Sequence, residues 1–103
     1  MQERIVKNLE EQELKIEKIA RMEVELFELG EKLCFLEQDY ILKTDFKSLG
    51  ITTKSGKVAH IKSIDDKFKS LSKNVDLLKI DIEKEKELLS LLKKQYHFYI
   101  ELL

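Results

Sequence analysis

From Ile61 to Leu103 thirteen consecutive a and d positions of a heptad frame can be counted, and twelve of them are apolar. They are Ile61, Ile64, Phe68, Leu71, Val75, Leu78, Ile82, Leu89, Leu92, Tyr96, Tyr99 and Leu103, with Glu85 the single polar position. Spacing of 3 and 4 residues without a slip describes one face of a helix that lies along another helix. The N-terminal half carries a second seam. Ile5, Leu9, Gln12, Ile16 and Ile19 form one run, and Ile19, Met22, Leu26, Leu29, Leu33, Leu36 and Tyr40 form the next. Two successive steps of 3 join them at Ile16, Ile19 and Met22, which predicts a stammer, a local overwinding, near Ile19.

Between the seams the periodicity lapses. Thr, Ser and Gly interrupt it from Thr44 to Ser55, with Gly50 inside that stretch and Gly56 directly after it. The pattern predicts a single helical-hairpin domain over residues 1–103, with helix 1 at about 2–44, a turn at about 45–53 and helix 2 at about 54–103. A short helical turn through Asp45 to Leu49 is expected to end in a left-handed Gly50, and Thr52 or Thr53 to cap helix 2. At 1.5 Å per residue each helix would measure roughly 60 to 75 Å, so a rod is expected.

The apolar arc is wider than one partner helix covers. Phe27, Cys34 and Ile41 make a row beside the first seam, with Val24, Phe35 and Leu42 further round. Leu88, Leu91, Phe98, Ile100 and Leu102 lie off the second seam. The fold class is thus all-α: a long antiparallel helical hairpin of coiled-coil type that dimerises into a four-helix bundle, the second copy covering these stripes. The self-association face is expected at Leu26, Phe27, Leu29, Leu33, Leu36, Tyr40, Leu89, Leu92, Tyr96, Phe98 and Tyr99. Cys34 reads as a small core residue beside Phe27 and Ile41.

Composition agrees with helices and narrows the class. There is no Pro, and 38% charged residues stand beside 43% apolar ones, whereas a disordered chain lacks the apolar share. No run approaches the roughly 18 apolar residues of a membrane span and the start has no apolar leader, so a soluble, cytoplasmic protein is expected. A lone cysteine fits a reducing compartment.

The net charge of -1 hides a segregation. Residues 1–43 hold seven Lys and Arg against eleven Asp and Glu, and residues 44–73 hold seven against three. Lys54, Lys57, Lys62, Lys67, Lys69 and Lys73, with His60, could neutralise phosphates and give salt-sensitive nucleic-acid contact. Set against this, the segment has no Arg for bidentate base reading, Phe68 belongs to the seam, and Asp65 stands four residues before Lys69. On helix 1, Glu3, Glu11, Glu17 and Glu28 each precede a Lys or Arg by four, which reads as solvated surface rather than as an acidic docking face.

Catalysis has little support. Glu85 reads as a paired or snorkelling residue that selects register or partner. His97, among Tyr96, Phe98 and Tyr99, belongs to the helix packing. Two distant histidines, one cysteine and no Gly-rich phosphate loop assemble neither a metal site nor a nucleophile with its base. The expected protein is not an enzyme and uses no cofactor, metal or small molecule.

At the turn, Asp45-Phe46-Lys47-Ser48-Leu49-Gly50-Ile51-Thr52, followed by Ala59-His60-Ile61 and a Lys- and Glu-rich heptad helix, resembles a pattern in small uncharacterised proteins of phages and mobile elements of low-GC Gram-positive bacteria. The likeness covers about twenty residues and a generic helix. It implies an accessory or inhibitory protein that binds a host factor, and it carries over no functional residues. The function expected from all of this is a protein-protein interaction module, with nucleic-acid binding at the lysine-rich turn or a structural spacer as the alternatives.

Overall fold

The turn organises the chain, and its hydrogen bonds explain why it stops where it does. The computed structural model describes residues Met1 to Leu103 and contains α1 (Gln2–Lys43), α2 (Lys54–Ile64) and α3 (Asp66–Glu101). After α1, one helical turn ends at Gly50, the sole residue with positive φ, at 72°. The Gly50 amide bonds the Lys47 carbonyl at 3.1 Å and the Ile51 amide bonds that of Phe46 at 3.0 Å. This is the paired pattern of a left-handed glycine C-cap. Asp45 steadies the same turn by accepting from the Ser48 hydroxyl at 2.5 Å and from its amide at 3.2 Å. The Ser48 hydroxyl is the first cause, and its amide the second, of an Asp45 carboxyl held below its ordinary value. Thr53 caps α2, its hydroxyl accepting from the Gly56 amide at 3.1 Å.

The fold is all-α, a helical hairpin, and it divides into two compact units: Met1–Glu25 with Leu78–Leu103, and Leu26–Leu77. The sequence reads as one continuous domain with a continuous second helix; the structure corrects the second point. At Asp65 the backbone turns extended, with φ -130° and ψ 105°, and separates α2 from α3. The Asp65 carboxylate accepts from the Phe68 amide at 3.0 Å and so caps α3. Asp offers the backbone this alternative to helix continuation, a preference that apolar periodicity does not register. Ile64, on the heptad seam, is consequently 58% exposed. Asp65 makes no ion pair with Lys69 either; its other oxygen accepts from the Tyr40 hydroxyl.

The unit Leu26–Leu77 is built around Phe46, Ile61 and Phe68, with Leu33, Tyr40, Ile41, Ile51 and Val58 packed on them. Tyr40 meets Phe68 edge to face at 6.4 Å, and Phe46 meets His60 likewise at 5.7 Å. Phe46 lies in the turn, off both seams, yet it is 5% exposed. Cys34 is exposed, contrary to the expected core role, as is Phe27 of the same row, and only Ile41 of that row packs on this cluster.

In the unit formed by Met1–Glu25 and Leu78–Leu103, α1 and α3 run antiparallel. Asn8 bonds the Leu92 carbonyl, whereas Lys15 and Lys18, further along α1, reach back to Glu85 on α3. The covered positions on α1 are Ile5, Asn8, Gln12, Lys15, Ile19 and Met22, an unbroken 3-4-3-4-3 spacing. The stammer expected near Ile19 is therefore absent. Leu9 and Ile16, assigned to the seam for their hydrophobicity, are 43% and 51% exposed, and polar neighbours take their places. Keeping the helix in phase outweighs burying two more aliphatic groups, because the polar substitutes find partners across the seam.

Candidate functional site

Along the seam of this unit runs a ladder of polar contacts. Asn8 is 3% exposed, and its Nδ2 donates to the Leu92 carbonyl at 3.0 Å and to Gln95 Oε1 at 3.1 Å. Its Oδ1 accepts from Gln12 Nε2 at 2.7 Å. Two turns on, Glu85 accepts from Lys15 Nζ at 2.6 Å and from Lys18 Nζ at 2.9 Å. Lys15 is the first cause, and Lys18 the second, of a Glu85 carboxyl held below its ordinary value, against the opposing effect of burial. Each polar side chain in the ladder has a partner, so the contacts specify pairing and register and leave little reactivity.

Beside the ladder lie three adjoining depressions that share Glu11 and together form an open furrow. Arg4, Lys7, Glu11, Leu14 and Lys18 line it from α1, at alternating steps of 3 and 4. Leu88, Leu91, Gln95 and Tyr99 line it from α3. Leu14 is 65% exposed, Leu88 45% and Leu91 59%, so the floor is apolar and wet while the rim carries both signs of charge. These are the neighbours of seam positions. A reading that sorts residues into seam and surface passes them over, although the i, i+3, i+7 spacing of Arg4, Lys7, Glu11, Leu14 and Lys18 marks a single flank.

The expected self-association residues separate into two groups. Leu26, Leu29, Leu33 and Tyr40, and likewise Leu89, Leu92, Tyr96 and Tyr99, are half-buried inside their own units. Only Phe27, Leu36 and Phe98 stay exposed. Eight of the eleven thus pack in part against the chain's own helices.

The six lysines of the basic segment all belong to the unit Leu26–Leu77. Lys57 lies over the Phe46 ring, its Nζ 5.7 Å from the centroid. His60 packs on Phe46, and His97 sits exposed beside Tyr96 at 5.7 Å. None of the four Glu-before-Lys or Glu-before-Arg pairs of α1 forms an ion pair; Lys15 has turned to Glu85 instead.

Tyr40 and Asp65 perturb one another. The hydrogen bond to Asp65 is the leading cause of a phenol raised above 10.0, and the same bond, followed by that from the Phe68 amide, lowers the Asp65 carboxyl. This pair closes the α2–α3 break and offers no free group for chemistry.

Comparison with known proteins finds no protein-family model, no curated protein and no solved structure that matches this chain.

Proposed function

We propose that this chain is a non-enzymatic interaction module that acts by presenting helix faces to another protein. One contrast carries the reading: six apolar side chains are buried, while twenty large ones are exposed. Scattered exposed apolar residues are ordinary on any protein, but here they outnumber the core and most of them lie on the helices. Phe35 and Leu42, seven residues apart on one stripe of α1, are 71% and 87% exposed. Two large groups in line on a rigid helix are what a helix-binding partner engages. The resemblance at the turn points to a host factor as that partner, with the chain as a phage-encoded accessory or inhibitor. Capture from host lysate on the immobilised chain tests this. A foreign protein retained by the native chain and lost from a Phe35→Ser, Leu42→Ser variant supports it; recovery of the chain alone overturns it.

Nucleic-acid contact is the second reading, and one observation favours it. Lys54, Lys57, Lys62, Lys67, Lys69 and Lys73 make no ion pair, whereas Lys15, Lys18, Lys43 and Lys86 do. Unneutralised lysines release counterions on meeting phosphates. Fluorescence anisotropy with a labelled duplex and a labelled single strand across a salt titration decides it: binding that weakens steeply with salt favours this reading, and none at low salt removes it.

A further inference from the structure

The furrow beside the polar ladder is lined in an order that matches its own reverse. Read along α1, its flank runs Arg4, Lys7, Glu11, Leu14, Lys18, and the same spacing continues to Arg21 and Glu25. Laid antiparallel on a second copy and centred at Leu14, this flank brings Glu11 opposite Lys18 and Arg4 opposite Glu25. Two-fold symmetry repeats both matches. Lys7 facing Arg21 is the one like-charged match, outnumbered two to one. At the centre Leu14 meets its own copy, in a depression that Leu92 lines from α3 and that adjoins the one lined by Leu88 and Leu91.

We propose that this furrow is the seat of a second copy of the chain, and that the two copies pair antiparallel through α1 about a two-fold axis at Leu14. The proposal rests on the reading of the chain as an interaction module and commits to one partner. Exposed leucines supply the attraction, because their apolar area leaves water. Exposed ion pairs contribute little energy but fix register and orientation, since a shifted pairing sets like charges face to face. A foreign partner has no need of a flank complementary to its own reverse. The interface differs from the face assigned from sequence.

Sedimentation equilibrium with a charge-exchange cycle tests the register. Arg4, Leu14 and Glu25 are exposed and make no ion pair within the chain, so their variants should melt with the native chain by circular dichroism. Lys18 is avoided because it also holds Glu85. The native chain should dimerise reversibly at micromolar concentration, and Leu14→Asp should remain a monomer. Arg4→Glu and Glu25→Arg should each weaken dimerisation by about tenfold, since each turns two matches repulsive. Mixing those two variants, or combining both changes in one chain, should restore it. A native chain that stays monomeric overturns the proposal, even if it captures a foreign protein, which would leave the broader reading intact. A dimer indifferent to Leu14→Asp overturns the face, and one indifferent to the charge exchange overturns the register.

Discussion

Lys15 on α1 and Glu85 on α3 meet at 2.6 Å across a seam where each holds a position that heptad packing ordinarily gives to an apolar residue. Lys18 adds a second contact at 2.9 Å, and the Glu85 side chain is only 14% exposed. Breaking one half of such a pair leaves a charge with poor hydration, whereas replacing both halves with apolar groups is often neutral or stabilising. Glu85→Leu should therefore lower the melting temperature, and Lys15→Leu added to it should recover most of the loss. A double variant no more stable than Glu85→Leu would show that the pair has no mutual dependence.

The same carboxylate sets an acid limit. Its folded pKa lies below the ordinary 4.5, so ionised Glu85 contributes stability above that value, and the contribution is lost as pH falls through the folded value. Asp45 and Asp65 are lowered too and act in the same direction. Comparing native chain with Glu85→Gln isolates one group. The difference in melting temperature should be constant near neutrality and shrink below pH 4.5. A gap that persisted at the acid end would mean that Glu85 acts through packing rather than charge.

Asn8 is the buried amide of the ladder, bonded to Leu92, Gln95 and Gln12. A polar residue at one seam position fixes register at some cost in stability. Asn8→Leu should preserve or raise the melting temperature and broaden the sedimentation profile into several species, while Asn8→Ala should cost about 1 to 3 kcal/mol by leaving a void and unmet partners. Chemical denaturation together with sedimentation velocity measures both.

Two isoleucines and a phenylalanine on one heptad frame have different fates. Ile61 and Phe68 are 0% and 1% exposed, and Ile64 between them is 58% exposed. Phe68→Ala should cost about 3 to 5 kcal/mol and Ile61→Ala about 2 to 5 kcal/mol. Ile64→Ala should change stability by no more than about 0.5 kcal/mol. Urea unfolding resolves these differences, and a large loss at Ile64 would mean that α2 and α3 join into one helix in solution.

The three glycines divide by their surroundings. Gly30 has nothing near an added Cβ and sits mid-helix, so Gly30→Ala should stabilise by about 0.5 to 1 kcal/mol. At Gly50 the positive φ opposes any side chain, and Gly50→Ala should cost about 1 kcal/mol. At Gly56 an added Cβ would stand 2.9 Å from the Thr53 hydroxyl and 3.1 Å from Ile51, disturbing the cap of α2. Gly56→Ala should therefore destabilise although the position is helical. Thermal melts of the three variants check the order.

What the sequence determined by itself was what local patterning can carry. Periods of 3 and 4 define helices and their inward faces, and Gly50 marks one helix end and Thr52 or Thr53 one helix start because left-handed backbone and hydroxyl capping each favour particular residues. Most of the α3 seam, from Phe68 to Tyr99, could be read in advance for the same reason. Three-dimensional competition decided the rest. Asn8 and Lys15 entered the α1 seam in place of Leu9 and Ile16 because Leu92, Gln95 and Glu85 stood across from them, and no count of apolar residues reveals a partner 70 or more positions away. Asp65 broke a seam that hydrophobicity alone would continue, since Tyr40 and the Phe68 amide both met its carboxylate. Cys34 and Phe27 stayed exposed because the core closed on Phe46 instead. Patterning states what a residue prefers, and only tertiary packing settles which preferences are met together.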